Sequence, residues 1–247
     1  MHTMNDQESG GTRARGVFIT FEGGDGAGKS THLFFVAEAL RSFGQKVECL
    51  REPGGTIIGE QLRNTVLDPG NYVMADECEL LIYEAARAQF VAQVIEPALA
   101  MGKVVLCDRF ADSTVAYQAY GRGIDRGFID RANRFACQGI WPDRTILLVT
   151  GGDAEVGLER ATHDKHADRL EMAGVDFHER VNLGYLELAA EHSDRVRVVV
   201  SDEGKAATAR KVFAELSDLF PWMADPTVCT DSFFEELELK RDLMGRK

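Results

Sequence analysis

The chain has 247 residues, of which 45% are hydrophobic, and it carries a formal net charge of -12 at pH 7. This length and composition suffice for one large α/β domain, and the acidic balance argues against binding to nucleic acid polymers or anionic membranes, which require a basic footprint. No apolar run approaches the ~18 residues of a membrane span, and five scattered cysteines indicate reduced thiols, so we expect a cytoplasmic protein.

Strand-like apolar runs alternate with helical patterns from residue 17 onwards. Residues 1–16 are polar, glycine-rich and without periodicity, which indicates a disordered leader before a domain of residues 17–220. In the first half we predict strands at Val17–Glu22, Lys46–Arg51 and Lys103–Asp108, and helices at Ser30–Phe43, Ile57–Leu67 and Asp76 to about Met101, with Pro97 as a possible break.

The second half continues the alternation, which predicts a parallel sheet covered by helices on both faces. Residues 221–247 form a predicted extension, whose apolar side chains at helical spacing can dock on the body or meet a partner chain; the spacing favours docking. The apolar residues of this extension are Phe233, Phe234, Leu237 and Leu243. Before the extension, we predict strands at Arg144–Val149 and Arg195–Val200, and helices near Ser113–Tyr120, Asp125–Gln138, Ala154–Ala161, Phe177–Ala190 and Ala206–Leu219.

A glycine-rich loop follows the first strand and opens the first helix. Two glycines separated by four residues, Gly23 and Gly28, precede Lys29 and Ser30, the pattern whose backbone N–H groups cradle phosphates. We predict that Lys29 reaches the β- and γ-phosphates of a nucleoside triphosphate and that Ser30 binds Mg²⁺. The pattern alone fits switches, pumps and kinases equally. The predicted triphosphate-binding residues are Gly23, Gly24, Asp25, Gly26, Ala27, Gly28, Lys29, Ser30 and Thr31.

Asp108 and Arg109 end the buried strand at Lys103–Asp108. This edge is where ligands bind in open α/β sheets, so Asp108 is predicted to hold Mg²⁺, directly or through water. The guanidinium of Arg109 suits a phosphate because it can bond two oxygens at once. The alternative is a plain ion pair at a strand end.

Tyr83 and Arg87 lie four residues apart on the long helix and therefore share a face. A ring beside a guanidinium can stack on a planar base while the arginine donates to a base oxygen. Taken alone, the pair is more typical of an aromatic residue at the edge of the core beside a solvated arginine. The interpretation of this pair as a base-binding site therefore depends on the other motifs.

Together these motifs closely resemble the bacterial thymidylate kinase family, which phosphorylates dTMP to dTDP with ATP. The resemblance runs in family order across about Val17 to Leu219. The matching elements are FEGGDGAGKST, REPGGT at Arg51–Thr56, LR at Leu62 and Arg63, YEAAR at Tyr83–Arg87, DRFADSTVAYQ at Asp108–Gln118, GRGID at Gly121–Asp125 and DRLE at Asp168–Glu171.

The resemblance implies a P-loop NTPase-type sheet with a short mobile lid, Mg²⁺ as cofactor, dTMP and ATP as substrates, no polymer substrate, and a homodimer. It also implies roles for residues of the acceptor site. Asp25 accepts from the sugar 3′-hydroxyl, Arg51 and Arg109 hold the phosphate with Arg63 nearby, Tyr83 stacks on thymine, Arg87 donates to thymine O4, and Thr114 and Gln118 complete the base site.

The lid departs from the family pattern. Members supply a catalytic arginine from the P-loop or from the lid, and Gly26 in the loop points to the lid here. Arg160, Lys165 and Arg169 are the candidates, and the sequence does not rank them. The resemblance thus implies Lys29, Arg109 and lid residues such as Arg160 and Lys165 as catalytic groups, with no general base, since the acceptor phosphate is largely ionised at pH 7.

Two other functions fit parts of the pattern. A kinase of the same fold could act on dUMP or on a deoxynucleoside. A P-loop switch or repair ATPase would use the triphosphate to drive a conformational change, but such a protein needs no base pocket of the kind that Tyr83 and Arg87 predict.

Overall fold

The central element is a five-stranded parallel sheet. The structure, a computed structural model, describes residues 15–151, 168–201 and 204–244. The strand order is β2-β3-β1-β4-β5, and every pairing is parallel, which confirms the predicted fold class. The strands are β1 (Phe18–Glu22), β2 (Val47–Arg51), β3 (Val104–Asp108), β4 (Arg144–Val149) and β5 (Val196–Val200), each within one residue of its predicted start.

Helices cover both faces of the sheet. No helix among the described residues has both the length and the apolar character that crossing a bilayer requires. The predicted helix at Ala154–Ala161 and the predicted leader up to residue 14 lie outside the described residues. The helices are α1 (Lys29–Ser42), α2 (Ile57–Leu67), α3 (Asp76–Phe90), α4 (Glu96–Ala100), α5 (Ala111–Thr114), α6 (Arg126–Cys137), α7 (Val175–Glu191), α8 (Lys205–Leu216) and α9 (Asp231–Met244).

Two predicted helices contain wider, π-helical turns. Residues Val91–Ile95 form one such turn between α3 and α4, ending two residues before Pro97. Proline lacks an N–H and its ring crowds the carbonyl four residues earlier, so the regular hydrogen-bond ladder cannot continue through this point. The second, Val115–Gly121, follows α5. π-helical turns often lie at functional sites, and this one borders the cavity described below.

The core divides at the sheet because strand side chains alternate between its faces. Ile19 and Phe21 of β1 pack with α1 and α8 on one face, whereas Phe18 packs with α3, α4 and α6 residues on the other. The C-terminal residues join the first of these clusters. Phe234 and Leu237 of α9 are 1% and 3% exposed, which confirms the predicted docking on the body.

Not all of the predicted docking residues take part. Phe233 is partly buried against the same cluster, but Leu243 is 57% exposed. Leu243 was therefore wrongly included, because it lies near the end of α9 where helical spacing alone does not show how far the contact extends.

Candidate active site

One cavity of about 530 Å³ opens where β1, β2 and β3 end. It brings the glycine-rich loop and the residues of the predicted base pocket together, although they lie more than 50 positions apart in the sequence. Its lining includes most of the predicted site residues, namely Asp25, Gly26, Gly28, Lys29, Ser30, Thr31, Arg51, Arg63, Tyr83, Arg87, Asp108, Arg109, Thr114 and Gln118.

The glycine-rich loop curls between β1 and α1. Gly23 has φ 131°, and a Cβ at this position would lie 2.1 Å from the Leu148 carbonyl oxygen, so only glycine fits. Lys29 Nζ donates to the carbonyl oxygens of Gly23 and Gly24 at 3.1 and 2.8 Å. Burial and the neighbouring Arg109 lower the pKa of Lys29 to about 8. A bound phosphate would place a negative charge beside this amine and favour its charged form.

Ser30 and Asp108 form the predicted metal-binding pair. Ser30 Oγ donates to Asp108 Oδ2 at 2.7 Å, so a hydroxyl and a carboxylate from two different elements meet at the cavity wall. No group of three or more His, Cys, Asp or Glu side chains that could hold a metal occurs among the described residues. Oxygen ligands in this small number fit Mg²⁺, which usually keeps several waters and shares the phosphates of its substrate.

Arg109 is held firmly at the end of β3. Its backbone has φ 70°, an uncommon conformation for a side chain of this size, and strained residues of this kind cluster at functional sites. Its guanidinium donates to Asp25 Oδ1 at 2.7 Å, to the hydroxyls of Tyr117 and Tyr185 at 3.1 and 3.0 Å, and to the Gly23 carbonyl at 3.1 Å. Arg109 therefore ties the phosphate loop to the opposite wall of the cavity.

Asp25 remains ionised beside Arg109. Burial alone would raise its pKa, but Arg109 and Lys29 outweigh that effect and lower the pKa to about 2. Its second oxygen, Oδ2, accepts from the Tyr117 hydroxyl at 3.2 Å. A carboxylate offers about four lone-pair sites, so Asp25 can still accept from a ligand hydroxyl.

Sequence reasoning missed Glu22, the last residue of β1. Its carboxyl group is fully buried and accepts from the Phe110 backbone N–H and the Ser113 hydroxyl, both at 2.6 Å, and from the Tyr185 hydroxyl at 2.9 Å. Burial raises the pKa of Glu22 to about 7. A charged residue at the end of an apolar strand was the signal that singled out Asp108, and Glu22 carries the same signal.

Arg87 is 1% exposed, so the interpretation of a solvated arginine is wrong. Its Nε lies 2.8 Å from Glu52 Oε1, and its Nη1 donates to Glu84 at 2.9 Å and to Asn133 at 2.6 Å. Its Nη2 donates to Thr114 Oγ1 at 2.8 Å. Thr114 thus orients the arginine, and the acidic partners Glu52 and Glu84 explain how a guanidinium is tolerated at this depth.

Three further predicted acceptor-site residues, Arg51, Arg63 and Gln118, already have partners within the protein. Arg51 Nη2 donates to Glu60 at 3.1 Å, and Arg63 Nη1 donates to the Pro53 carbonyl at 2.9 Å. Gln118 Nε2 donates to Glu79 Oε1 at 2.7 Å. All three side chains nevertheless line the cavity, so their predicted ligand contacts remain predictions.

The lid candidates have different outcomes. Arg160 and Lys165 lie outside the described residues. Arg169 donates to the Glu79 carboxylate and, through Nε at 2.9 Å, to the Val66 carbonyl; it does not line the cavity. Its neighbours in the DRLE motif, Asp168, Leu170 and Glu171, do line it. Arg169 therefore connects α2 and α3 in this structure.

Comparison with known proteins places this site in a family. A family model described as thymidylate kinase matches residues 21–212. Thymidylate kinases of Trichlorobacter lovleyi and Geobacter sulfurreducens are 48% and 46% identical to the chain, covering 74% and 83% of it and 88% and 99% of their own lengths. A crystal structure of thymidylate kinase from Ehrlichia chaffeensis superposes with a TM-score of 0.65 at 30% identity, covering 82% of this chain and 99% of that one. The chain belongs to the thymidylate kinase family, whose members phosphorylate dTMP to dTDP.

Proposed function

We propose that the chain transfers the γ-phosphoryl group of ATP directly to the phosphate of dTMP, with Mg²⁺ as cofactor. The observation that carries this proposal is that Lys29 of the phosphate loop and Tyr83 and Arg87 of the predicted base pocket line the same cavity. A protein that only hydrolyses or senses a triphosphate needs no second pocket facing its γ-phosphate.

The contacts of Lys29, Ser30 and Asp108 support the proposal that ATP and Mg²⁺ bind at the phosphate loop. Lys29 now donates to two carbonyl oxygens, which phosphate oxygens would replace or supplement. Ser30 and Asp108 would hold Mg²⁺. When bound, the metal neutralises charge on the phosphates and helps to orient them.

The hydrogen bonds that Arg87 makes within the protein support the proposal that it binds the thymine base of dTMP. A guanidinium has five N–H donors; Glu84, Asn133 and Thr114 accept hydrogen bonds from three of them, and Glu52 forms an ion pair at Nε. Among the described residues, Nη2 donates to Thr114 alone, so its second N–H can donate to a ligand acceptor such as the O4 carbonyl of thymine. Cytosine presents an amino donor at that position and would oppose the arginine.

The acceptor phosphate is proposed to bind Arg109, with Arg51 and Arg63 on the adjacent wall. Arg109 is held by Asp25, Tyr117 and Tyr185 before any ligand arrives, so little reorganisation accompanies transfer. The acceptor oxygen is ionised near neutral pH and needs no general base. We propose that Arg160 or Lys165 supplies further charge from the lid when it closes.

We also propose that the chain forms a homodimer and that it is located in the cytoplasm. Exposed apolar side chains on the neighbouring helices α3 and α6 support the dimer, with Leu81 58%, Phe128 44% and Phe135 85% exposed. Light scattering coupled to gel filtration would measure the mass in solution. A monomer at micromolar concentration would contradict the dimer.

The activity is tested by measuring ADP formation from ATP with a panel of acceptors. We expect rapid turnover with dTMP, slower turnover with dUMP and negligible turnover with dCMP, because Arg87 opposes the cytosine amino group. Lys29→Met serves as the inactive control for contaminating kinases. Slow ATP hydrolysis that is independent of the acceptor would indicate a switch or ATPase and end the proposal.

A further inference from the structure

The C-terminal helix α9 contributes a residue to the cavity. The family match ends at residue 212, whereas α9 spans Asp231–Met244. Arg241, in the last turn of this helix, lines the cavity together with Ser30 and Thr31 at the start of α1. A segment beyond the matched region therefore reaches the wall on which the donor phosphates are proposed to bind.

Contacts with two other helices fix the position of Arg241. α9 packs against α1 and α8, and the guanidinium carbon of Arg241 lies 5.7 Å from the ring centre of Phe34 in α1. At the start of α8, Lys205 pairs with Glu238 at 3.7 Å and with Asp242 at 3.1 Å. These ion pairs flank Arg241 on its own helix and hold the last turns of α9 beside the phosphate loop.

Within the described part of the chain, Arg241 has no carboxylate partner of the kind that its neighbours on α9 have. Lys240 pairs with Glu236 at 3.0 Å, but no carboxylate among the described residues pairs with Arg241. Its Nε is buried and makes no hydrogen bond to any of the residues that the structure describes. A buried donor on a charged group is costly to leave without an acceptor. An incoming anion would supply that acceptor.

We propose that Arg241 binds a phosphate group of the donor nucleotide. The proposal rests on the proposed function, in which the triphosphate of ATP binds along Lys29, Ser30 and Thr31. A guanidinium suits this ligand because its fork can bond two phosphate oxygens at once. Arg241 would thus place a guanidinium beside a phosphate loop that has Gly26 where some members of the family have an arginine.

The proposal is tested by calorimetric titration of ATP, inorganic tripolyphosphate, adenosine and dTMP into the wild-type protein and the Arg241→Ala, Arg241→Lys and Lys240→Ala variants. We expect Arg241→Ala to weaken ATP and tripolyphosphate about tenfold or more, the loss of one charged hydrogen bond. Adenosine and dTMP affinities should not change. Arg241→Lys should recover part of the loss, and the adjacent Lys240→Ala should match the wild type.

Several outcomes would overturn the inference. Equal ATP affinity in the wild type and Arg241→Ala would do so, as would a lower melting temperature of the ligand-free variant with unchanged ATP affinity, which would show that Arg241 only packs on Phe34. Equal weakening of adenosine would assign the effect to the nucleoside instead. A wild-type chain that neither binds ATP nor phosphorylates dTMP would instead overturn the proposed function.

Discussion

Arg87 Nε lies 2.8 Å from Glu52 Oε1, and both side chains are only 2% exposed. This buried ion pair connects α3, which carries the predicted base-binding face, to the loop after β2, which follows Arg51. The predicted base and phosphate sites are thus fixed to each other by a contact that no ligand has to make. Recognition of both ends of a nucleotide by a preformed cavity depends on such a connection.

We predict that Glu52→Ala destabilises the fold by about 3–5 kcal/mol, because it leaves the Arg87 cation buried with one partner fewer. Chemical denaturation would measure the free energy of unfolding. Glu48→Ala is the matched control from the same strand region, since its ion pair with Lys103 is partly exposed and should be worth at most ~1 kcal/mol. Equal losses in the two variants would contradict a buried, charged pair at Glu52.

Glu22 provides a test through pH. Burial raises its pKa from 4.5 to about 7, so the folded state keeps a proton that the unfolded state releases. The contribution of Glu22 to stability is therefore greatest below pH 4.5 and is lost as pH rises to about 7, by up to ~3 kcal/mol. Glu22→Gln cannot titrate and should gain stability relative to the wild type between pH 5 and pH 8.

Urea unfolding at pH 5 and pH 8 would measure that difference. Glu48→Gln, in which the changed carboxyl is 38% exposed, should show little change relative to the wild type across the same range. If the stability of Glu22→Gln relative to the wild type is the same at both pH values, Glu22 is ionised in the folded protein throughout.

Deprotonation of Lys29 should limit ATP binding at high pH. Burial and Arg109 lower its pKa to about 8, so the free enzyme loses this positive charge above pH 8. We expect kcat/KM for ATP to fall above this pH, because that parameter reports ionisation of the free enzyme. The value of kcat should hold to higher pH, since bound phosphates favour the charged amine. A kcat/KM profile that stays flat to pH 10 would contradict the shifted pKa.

Much of the fold followed from the sequence because its strands are short, apolar runs bounded by clear turns. β4 was predicted to the residue, and the glycine-rich loop identified its own phosphate chemistry. The wider turns at Val91–Ile95 and Val115–Gly121 were not predicted, since a π-helical turn keeps nearly the same apolar spacing as a regular helix. Hydrophobic periodicity therefore does not distinguish between them.

The partners of the site residues were harder to predict than the residues themselves. The sequence pointed to Arg87, but Glu52 and Asn133, which hold it, lie 35 and 46 positions away in the chain and become neighbours only in the folded protein. Glu22 carried a signal that was overlooked. Arg241 carried none, because a lone arginine on an acidic helix resembles any solvated face.

Phe234 tests whether α9 docks on the body in solution, on which the role of Arg241 depends. Its ring packs 5.1 Å from that of Phe213 and beneath the Arg210 guanidinium, and it is 1% exposed. We expect Phe234→Ala to lower the free energy of unfolding by about 3–5 kcal/mol through the cavity it creates. Leu239→Ala, on the same helix but 61% exposed, should stay within ~0.5 kcal/mol of the wild type. If urea titrations gave both variants wild-type stability, α9 would be detached from α1 and α8 in solution, and Arg241 could not be held beside the phosphate loop.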